Sequence, residues 1–549
     1  MPGPPSSGAQ NANGQGVRVA ELVAALSYAA DLGLGQPLAH CMRQTVIALR
    51  LADLVGATQD EREATYYLGL MISAYCHADA AEQARWFGDD IAFKADAFDM
   101  LGKNTAQIVA FAVRRVGSHG TGVDRVRRIV TLPRSGMRQV MDFLATHARL
   151  SSRFAEQIGL DDVAAASFRQ AYEQWDGKGV PLGLRGGDIT LPSRLVQLAG
   201  PVEVYARLHG VEAARAAVRR SSGADLDPAI ARLFREHAPQ VLNGLDQAAE
   251  WTAILDAEPS LARRVDGADL DTVLEAMADL ADLKSPQFAG HSRGVANLAA
   301  EAARVWRLPD ADVTTVRRAG LLHDLGRLGV SNSIWDKPGP LTGPEREHVR
   351  IHPYLTDRML AGIDALAASR EIAARHHERL DGSGYPSGMT AASLSPRDRL
   401  LAAADAYHAM TEPRPYREPL PPDLAAAELT AEVHAGRLDG DAAAAVLTAA
   451  GRPTRTRRSW PNGLTAREVE VLGLLARGHS NKQIARRLVI APKTAANHVE
   501  HVYSKLGVAS RAEATLFATQ HGLVGSFEPQ PSPSWHGQHS SNRHRRVVG

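Results

Sequence analysis

Cysteine is nearly missing: Cys41 and Cys76 are the only two in 549 residues. That is too few to staple a secreted fold, so the reducing cytoplasm is the expected compartment. Neither charge sign dominates, since 62 Lys and Arg face 61 Asp and Glu for a formal net charge of +1. Any attraction to nucleic acid or to a lipid surface must therefore be local. No run of about 18 apolar residues free of charge occurs, which argues against a transmembrane helix. Long alternating strand patterns are scarce as well. The opening residues 1–17, MPGPPSSGAQNANGQGV, lack the apolar core of an export signal and read as a disordered leader.

What is present is helical periodicity on a multidomain scale. The length predicts about three or four domains at roughly 150 residues each. From Val19 onward, Leu22, Val23, Leu26, Ala29 and Ala30 recur with the spacing of one helix face. Residues 18–250 and 270–450 read as two large helical regions. A basic linker follows at residues 451–463, where Arg452, Arg455, Arg457 and Arg458 stand among Gly and Pro. Short helices then occupy residues 464–524, and residues 525–549 form a polar tail expected to be disordered.

The two helical regions repeat one another. His376 to Pro386 read HHERLDGSGYP and Ala171 to Pro181 read AYEQWDGKGVP, with Asp-Gly, the second Gly and the Pro in register. His40 stands as far before Ile72-Ser73 as His291 stands before His323-Asp324, and Gly69 matches Gly320. One helical domain therefore occurs twice. In the first copy most polar positions have been lost: Ile72-Ser73 replaces His323-Asp324, Ala171-Tyr172 replaces His376-His377, and Gly200 stands where Asp405 would be. That copy cannot hold the same metals; dimerisation, regulation or ligand binding remain open to it.

The second copy gathers His291, His323, Asp324, His352, His376, His377 and Asp405. Imidazole nitrogen and carboxylate oxygen suit divalent first-row ions, and without cysteine ligands a structural zinc site is disfavoured. Adjacent residues on a helix point about 100° apart, so each His-Asp or His-His pair can address two neighbouring ions. A carboxylate such as Asp324 can bridge them. Two ions about 3.5 to 4 Å apart activate water and clamp a phosphoryl group.

The runs GHSRGVA (Gly290 to Ala296), LLHDLGRLGV (Leu321 to Val330), KPGPLT (Lys337 to Thr342), His352-Pro353, HHERLDGSGYP and AAADAYHAMTEPRPYR (Ala402 to Arg417) resemble the HD-GYP family in order and spacing. The resemblance implies an all-α domain that hydrolyses cyclic di-GMP or a related cyclic dinucleotide with bound iron or manganese. It also implies that the seven residues above are the metal ligands, with Asp324 catalytic, and that Gly384 and Tyr385 border the substrate. Three departures stand out. Arg327 occupies the place of the family's lysine, keeping the charge with a different reach, and is expected to hold a phosphate. Gln287 stands where some members have a further carboxylate, which favours two ions over three. His408 replaces the family's usual aspartate.

Residues 464–524 resemble the LuxR-type output domain over its full length, in LTAREVEVL, GHSNKQIA, PKT and KLGV. Ser480 can cap a short helix and Pro492 opens the next, as a helix-turn-helix requires. By resemblance Lys493, Thr494, Asn497, His498 and Lys505 lie on or near the groove face of the recognition helix, and Lys482 contacts phosphate. The expected whole is a tandem HD-like, all-α chain, the first copy degenerate, ending in a helix-turn-helix. It would couple a metal-dependent phosphodiesterase to promoter DNA, acting as a homodimer; the alternatives are a non-hydrolytic nucleotide sensor and a phosphohydrolase of another nucleotide.

Overall fold

A computed structural model describes residues 16–98, 107, 110–111, 115–116, 137–259, 263–451 and 460–524. Nearly all of the expected leader, most of the basic linker and the C-terminal tail lie outside the described residues. Among those described, the architecture is all-α as anticipated. The one sheet is an antiparallel pair of two-residue strands, Val17–Arg18 with Arg264–Val265. It ties the start of the first copy to the start of the second.

Several helices begin where a side chain satisfies free backbone N–H groups. Thr58 with Glu61, Thr342 with Glu345, Ser395 with Asp398, Thr465 with Glu468 and Ser480 with Gln483 all form reciprocal capping boxes. No helix is long and apolar enough to cross a membrane among the described residues.

The duplication is physical as well as textual. In each copy the first histidine opens a helix behind a residue in left-handed conformation: Ala39 before His40, Gly290 before His291. In each, a buried aspartate then accepts from the following amide, Asp31 from Cys41 N at 2.9 Å and Asp282 from Ser292 N at 3.0 Å. Glu173 accepts from the amides of Leu182 and Leu184, just as Glu378 accepts from Ser387 and Met389. These carboxylates hold the Asp-Gly-x-Gly loops in one shape although the flanking chemistry has diverged.

Packing joins the copies rather than separating them. One continuous apolar core contains Val23, Leu26, Ile47, Phe154 and Phe234 from the first copy and Leu321, Leu325, Leu328, Met359 and Leu360 from the second. A second cluster, including Val295, Val316, Leu400 and Val446, lies within the second copy. The helix-turn-helix has its own core around Val471, Leu472, Ile484 and Val502. Its last helix, Arg511–Gln520, docks on the tandem body through Leu516, which belongs to the large core. Beside it the buried Glu513 takes Arg149 Nε at 2.8 Å and lies 3.6 Å from Arg153, both from the first copy.

Candidate metal centre and nucleic-acid interface

Helix ends deliver most of the seven candidate ligands. His291 and His352 are the first residues of helices His291–Val305 and His352–Leu360. His323 and Asp324 follow helix Asp310–Leu322, and His376-His377 follow Ala367–Ala374. Asp405 alone lies within a helix, Pro396–Met410. Ends suit the task because adjacent residues there can turn to different sides of one cavity. All seven converge, and all but the partly exposed His377 are buried.

Hydrogen bonding at the back of each ring sets what the front can do. His323, His352 and His376 place Nδ1 at 2.8, 2.6 and 2.6 Å from the carbonyls of Gly320, Val349 and Ala373. A carbonyl only accepts, so the proton sits on Nδ1 and the Nε2 lone pair faces the cavity. His291 Nδ1 lies 2.7 Å from Glu412 Oε2, which accepts its N–H. The arrangement brings His352 Nε2 and His376 Nε2 within 3.1 Å of each other.

Asp324 divides its oxygens between two groups of imidazoles. Oδ2 is 2.8 Å from His323 Nε2 and 3.3 Å from His291 Nε2, while Oδ1 is 3.3 Å from His352 Nε2 and 3.7 Å from His376 Nε2. Asp405 spans the same divide, with Oδ1 3.3 Å from His291 Nε2 and Oδ2 3.8 Å from His377 Nδ1. His291, His323 and Asp324 form one group able to hold an ion, and His352, His376 and His377 another. His291 Nε2, His323 Nε2, both Asp324 oxygens and Asp405 Oδ1 are buried and crowd one another at ion-pair distances without a well-aligned hydrogen bond. Buried polar atoms so poorly paired are costly, and cations at this spot would satisfy them.

The electrostatics fit a cation site. Burial and the neighbouring imidazoles push His376 down to about 3 and His377 well below the ordinary range, leaving both neutral. Burial alone would raise the Asp324 carboxyl, but Arg327 and His323 outweigh it and hold it well below the usual carboxylate range. Burial opposes a charged His291, yet Glu412, Asp324 and Asp405 together hold its proton well above the usual imidazole range. A divalent ion competes with that proton for Nε2, so metal binding is coupled to proton release.

Around this centre the other expected residues take distinct places. Arg327 puts Nη1 2.7 Å from Asp324 Oδ2 and lays its guanidinium 4.3 Å from the Phe288 ring centroid and 5.4 Å from that of Trp335. Tyr385 lies tilted beside His377 with ring centroids 4.7 Å apart, and the Arg350 guanidinium is 5.0 Å from its ring centroid. Gly384 needs to be glycine for a reason internal to its loop: an added Cβ would run into the Arg379 amide nitrogen and the Glu378 Cα. Gln287 turns away from the centre to donate to Trp335 O at 2.8 Å and Asp336 Oδ1 at 3.1 Å. His408 sits behind Glu412, Nδ1 to Oε1 being 3.3 Å.

Sequence reasoning missed Glu412 and Glu378. Both stood in quoted runs, TEPRPYR and HHERLDG, as carboxylates beside ligand-bearing segments. Glu412 fixes the ring of His291. Its replacement by glutamine is expected to weaken divalent-metal affinity about 10- to 100-fold, the usual effect of losing such a partner. Competition against a metal-binding dye measures this, and parental affinity in the variant would exclude the role.

In the C-terminal domain, helices Asn481–Arg487 and Pro492–Leu506 form the expected helix-turn-helix. Lys482, Lys493, Thr494 and Asn497 are exposed and His498 is half-buried. Lys505 departs from expectation. Its Nζ donates to Glu468 Oε2 at 2.7 Å and to Gly463 O at 3.0 Å, latching the recognition helix to the first helix of the domain. Glu468 in turn caps that helix with Thr465, so Lys505 takes part in the packing of the domain.

The fold and centre together define a metal-dependent phosphohydrolase of the HD class carrying a DNA-binding-type module. Residues 275–442 match the HD domain model, and residues 462–518 match that of bacterial regulatory proteins of the luxR family. The chain is 30% identical over 420 residues to 3'3'-cGAMP-specific phosphodiesterase 3 of Vibrio cholerae, covering 76% of this chain and 91% of that protein. It is 42% identical over 129 residues to a cyclic di-GMP phosphodiesterase of Pseudomonas aeruginosa, covering 23% of this chain and 31% of that one. The crystal structure of a V. cholerae cyclic GMP-AMP-specific phosphodiesterase superposes with a TM-score of 0.54 at 26% identity, covering 80% of this chain and 99% of its own. The chain belongs to the HD-GYP family of cyclic-dinucleotide phosphodiesterases, and it ends in a LuxR-type domain.

Proposed function

We propose that this protein hydrolyses a phosphodiester bond of a cyclic dinucleotide, cyclic GMP-AMP or cyclic di-GMP, and binds promoter DNA through its C-terminal domain as a homodimer. The observation that carries the enzymatic reading is Asp324, whose two oxygens face two separate groups of inward-pointing imidazoles. His291, His323, Asp324, His352, His376, His377 and Asp405 would hold two divalent ions; oxygen and nitrogen donors without thiolate favour iron or manganese. When bound, such a pair lowers the pKa of an attacking water and offsets charge on the phosphoryl oxygens.

The protein's own side chains do the rest. Arg327, always charged, holds a non-bridging phosphate oxygen next to the centre. Phe288 and Trp335 flank its guanidinium and keep its plane fixed. Tyr385, beside His377, offers a flat face to a base at the cavity edge.

One observation favours a second reading, a sensor that binds without cutting: the Arg327 guanidinium already engages the Asp324 oxygen that would serve an ion. Incubating manganese- or iron-loaded protein with cyclic GMP-AMP and cyclic di-GMP, while following linear product and binding, separates the two. Linear dinucleotide supports hydrolysis; binding without product establishes the sensor. On the DNA side, Lys482→Ala is expected to weaken promoter binding about equally on all sequences and to reduce the salt slope by about one. An unchanged slope in a fluorescence titration would remove Lys482 from the phosphate-contacting role.

A further inference from the structure

The copy that has lost its ligands reaches into the wall of the copy that kept them. Asp90, in helix Asp90–Ala97 of the first copy, is fully buried. Its Oδ1 accepts from Ser331 Oγ at 2.9 Å and from the backbone N–H of Asn332 at 2.8 Å, at the start of helix Asn332–Trp335. Its Oδ2 accepts from Lys284 Nζ at 3.1 Å and Lys94 Nζ at 3.2 Å. Lys284, itself fully buried, belongs to the metal-bearing copy. Burial alone would raise Asp90, but the two lysines outweigh it and hold it well below the usual carboxylate range.

Each oxygen thus grips a different segment of the second copy, and both segments end at Arg327. From Lys284 the chain runs to Phe288, and from Asn332 it runs to Trp335. The two rings meet edge to face at 5.4 Å, and the Arg327 guanidinium lies against both. The segments are further joined by Asn332 Nδ2 to Lys284 O at 2.7 Å and by Gln287 Nε2 to Trp335 O at 2.8 Å. Trp335 Nε1 donates to Arg327 O at 3.3 Å.

We propose that Asp90 of the degenerate copy is a positioning residue for the phosphate site of the other copy, setting Arg327 through the Phe288 and Trp335 segments it ties together. This rests on the reading of Arg327 as the group that holds phosphate. It gives the first copy a definite role in substrate binding that needs no ligand of its own.

Asp90→Asn retains an oxygen for Ser331 and Asn332 but removes the charge that faces Lys284. Since Arg327 would bind ground state and transition state alike, the variant should raise KM for the dinucleotide about ten-fold and change kcat less than about two-fold. In an Arg327→Ala background the same substitution should add nothing to KM, because the two act through one contact. Amide hydrogen exchange in the segment 325–337 should quicken by about ten-fold while that of 291–305 holds. Phe234→Leu, in the first-copy core, serves as a destabilised control and should lower the melting temperature without moving KM. An unchanged KM, or an equal rise in both backgrounds, overturns the proposal. Should the parent turn over no dinucleotide, the enzymatic reading has failed; exchange then decides the Asp90 inference alone, and unaltered exchange in 325–337 overturns it.

Discussion

Asp324→Asn is expected to reduce dinucleotide turnover by about three orders of magnitude or more and to strip bound metal from the protein. The carboxylate presents one oxygen to His291 and His323 and the other to His352 and His376. An asparagine keeps one acceptor and turns the other into an N–H donor, which faces a cation with the wrong end of its dipole. The buried imidazole lone pairs would then lack the anion that draws two ions together. The change preserves size, so melting temperature should fall little for the metal-free protein. Metal content by plasma mass spectrometry and product formation by chromatography are the readouts; parental metal content with parental turnover would remove Asp324 from the centre.

The duplicated loop permits a second, paired experiment. A Cβ on Gly384 would strike the Arg379 amide and Glu378 Cα, and a Cβ on Gly179 would strike the Gln174 amide and Glu173 Cα in the same way. Each alanine must therefore open its loop, at a cost of about 3 kcal/mol or more. Only one of the loops carries Tyr385 beside His377 and follows directly on His376-His377. Gly384→Ala is expected to lower kcat/KM by about 100-fold, as ångström-scale misplacement does. Gly179→Ala should lower the melting temperature similarly while the folded fraction keeps its kcat. Equal losses of activity in both variants would show that the loop acts only through global stability.

Much of the centre was legible because its chemistry is carried by rare, adjacent residue types. His323-Asp324 and His376-His377 stand just past the ends of helices Asp310–Leu322 and Ala367–Ala374. The repeat was legible for the same reason, since the Asp-Gly-x-Gly loop demands small residues at fixed places. What could not be read were partners set by the tertiary path. Glu412 acts on a histidine far from it in sequence, and nothing in TEPRPYR distinguishes it from a solvated acid. Asp90 lies in a helix of ordinary composition, and its four donors come from three separate segments. Lys505 looked like a groove contact because its position on the recognition helix is right; only the fold shows that Glu468 takes it first. Gly384 was expected to border the substrate; the close approach that the fold shows is to its own loop.

The common core has a consequence for how such a chain can change over generations. Leu321, Leu325, Leu328, Met359 and Leu360 of the metal-bearing half are covered by residues of the other half. A lineage can carry Ile72, Ser73, Ala171 and Gly200 in the first half where the other half has its candidate ligands, because Ala171 and Ile72 still pack in or against the common core. It could not discard that half, because doing so would strip the surviving centre of its floor and leave those leucines in water. Genetic decay in this architecture is thus confined to chemistry and stops at packing.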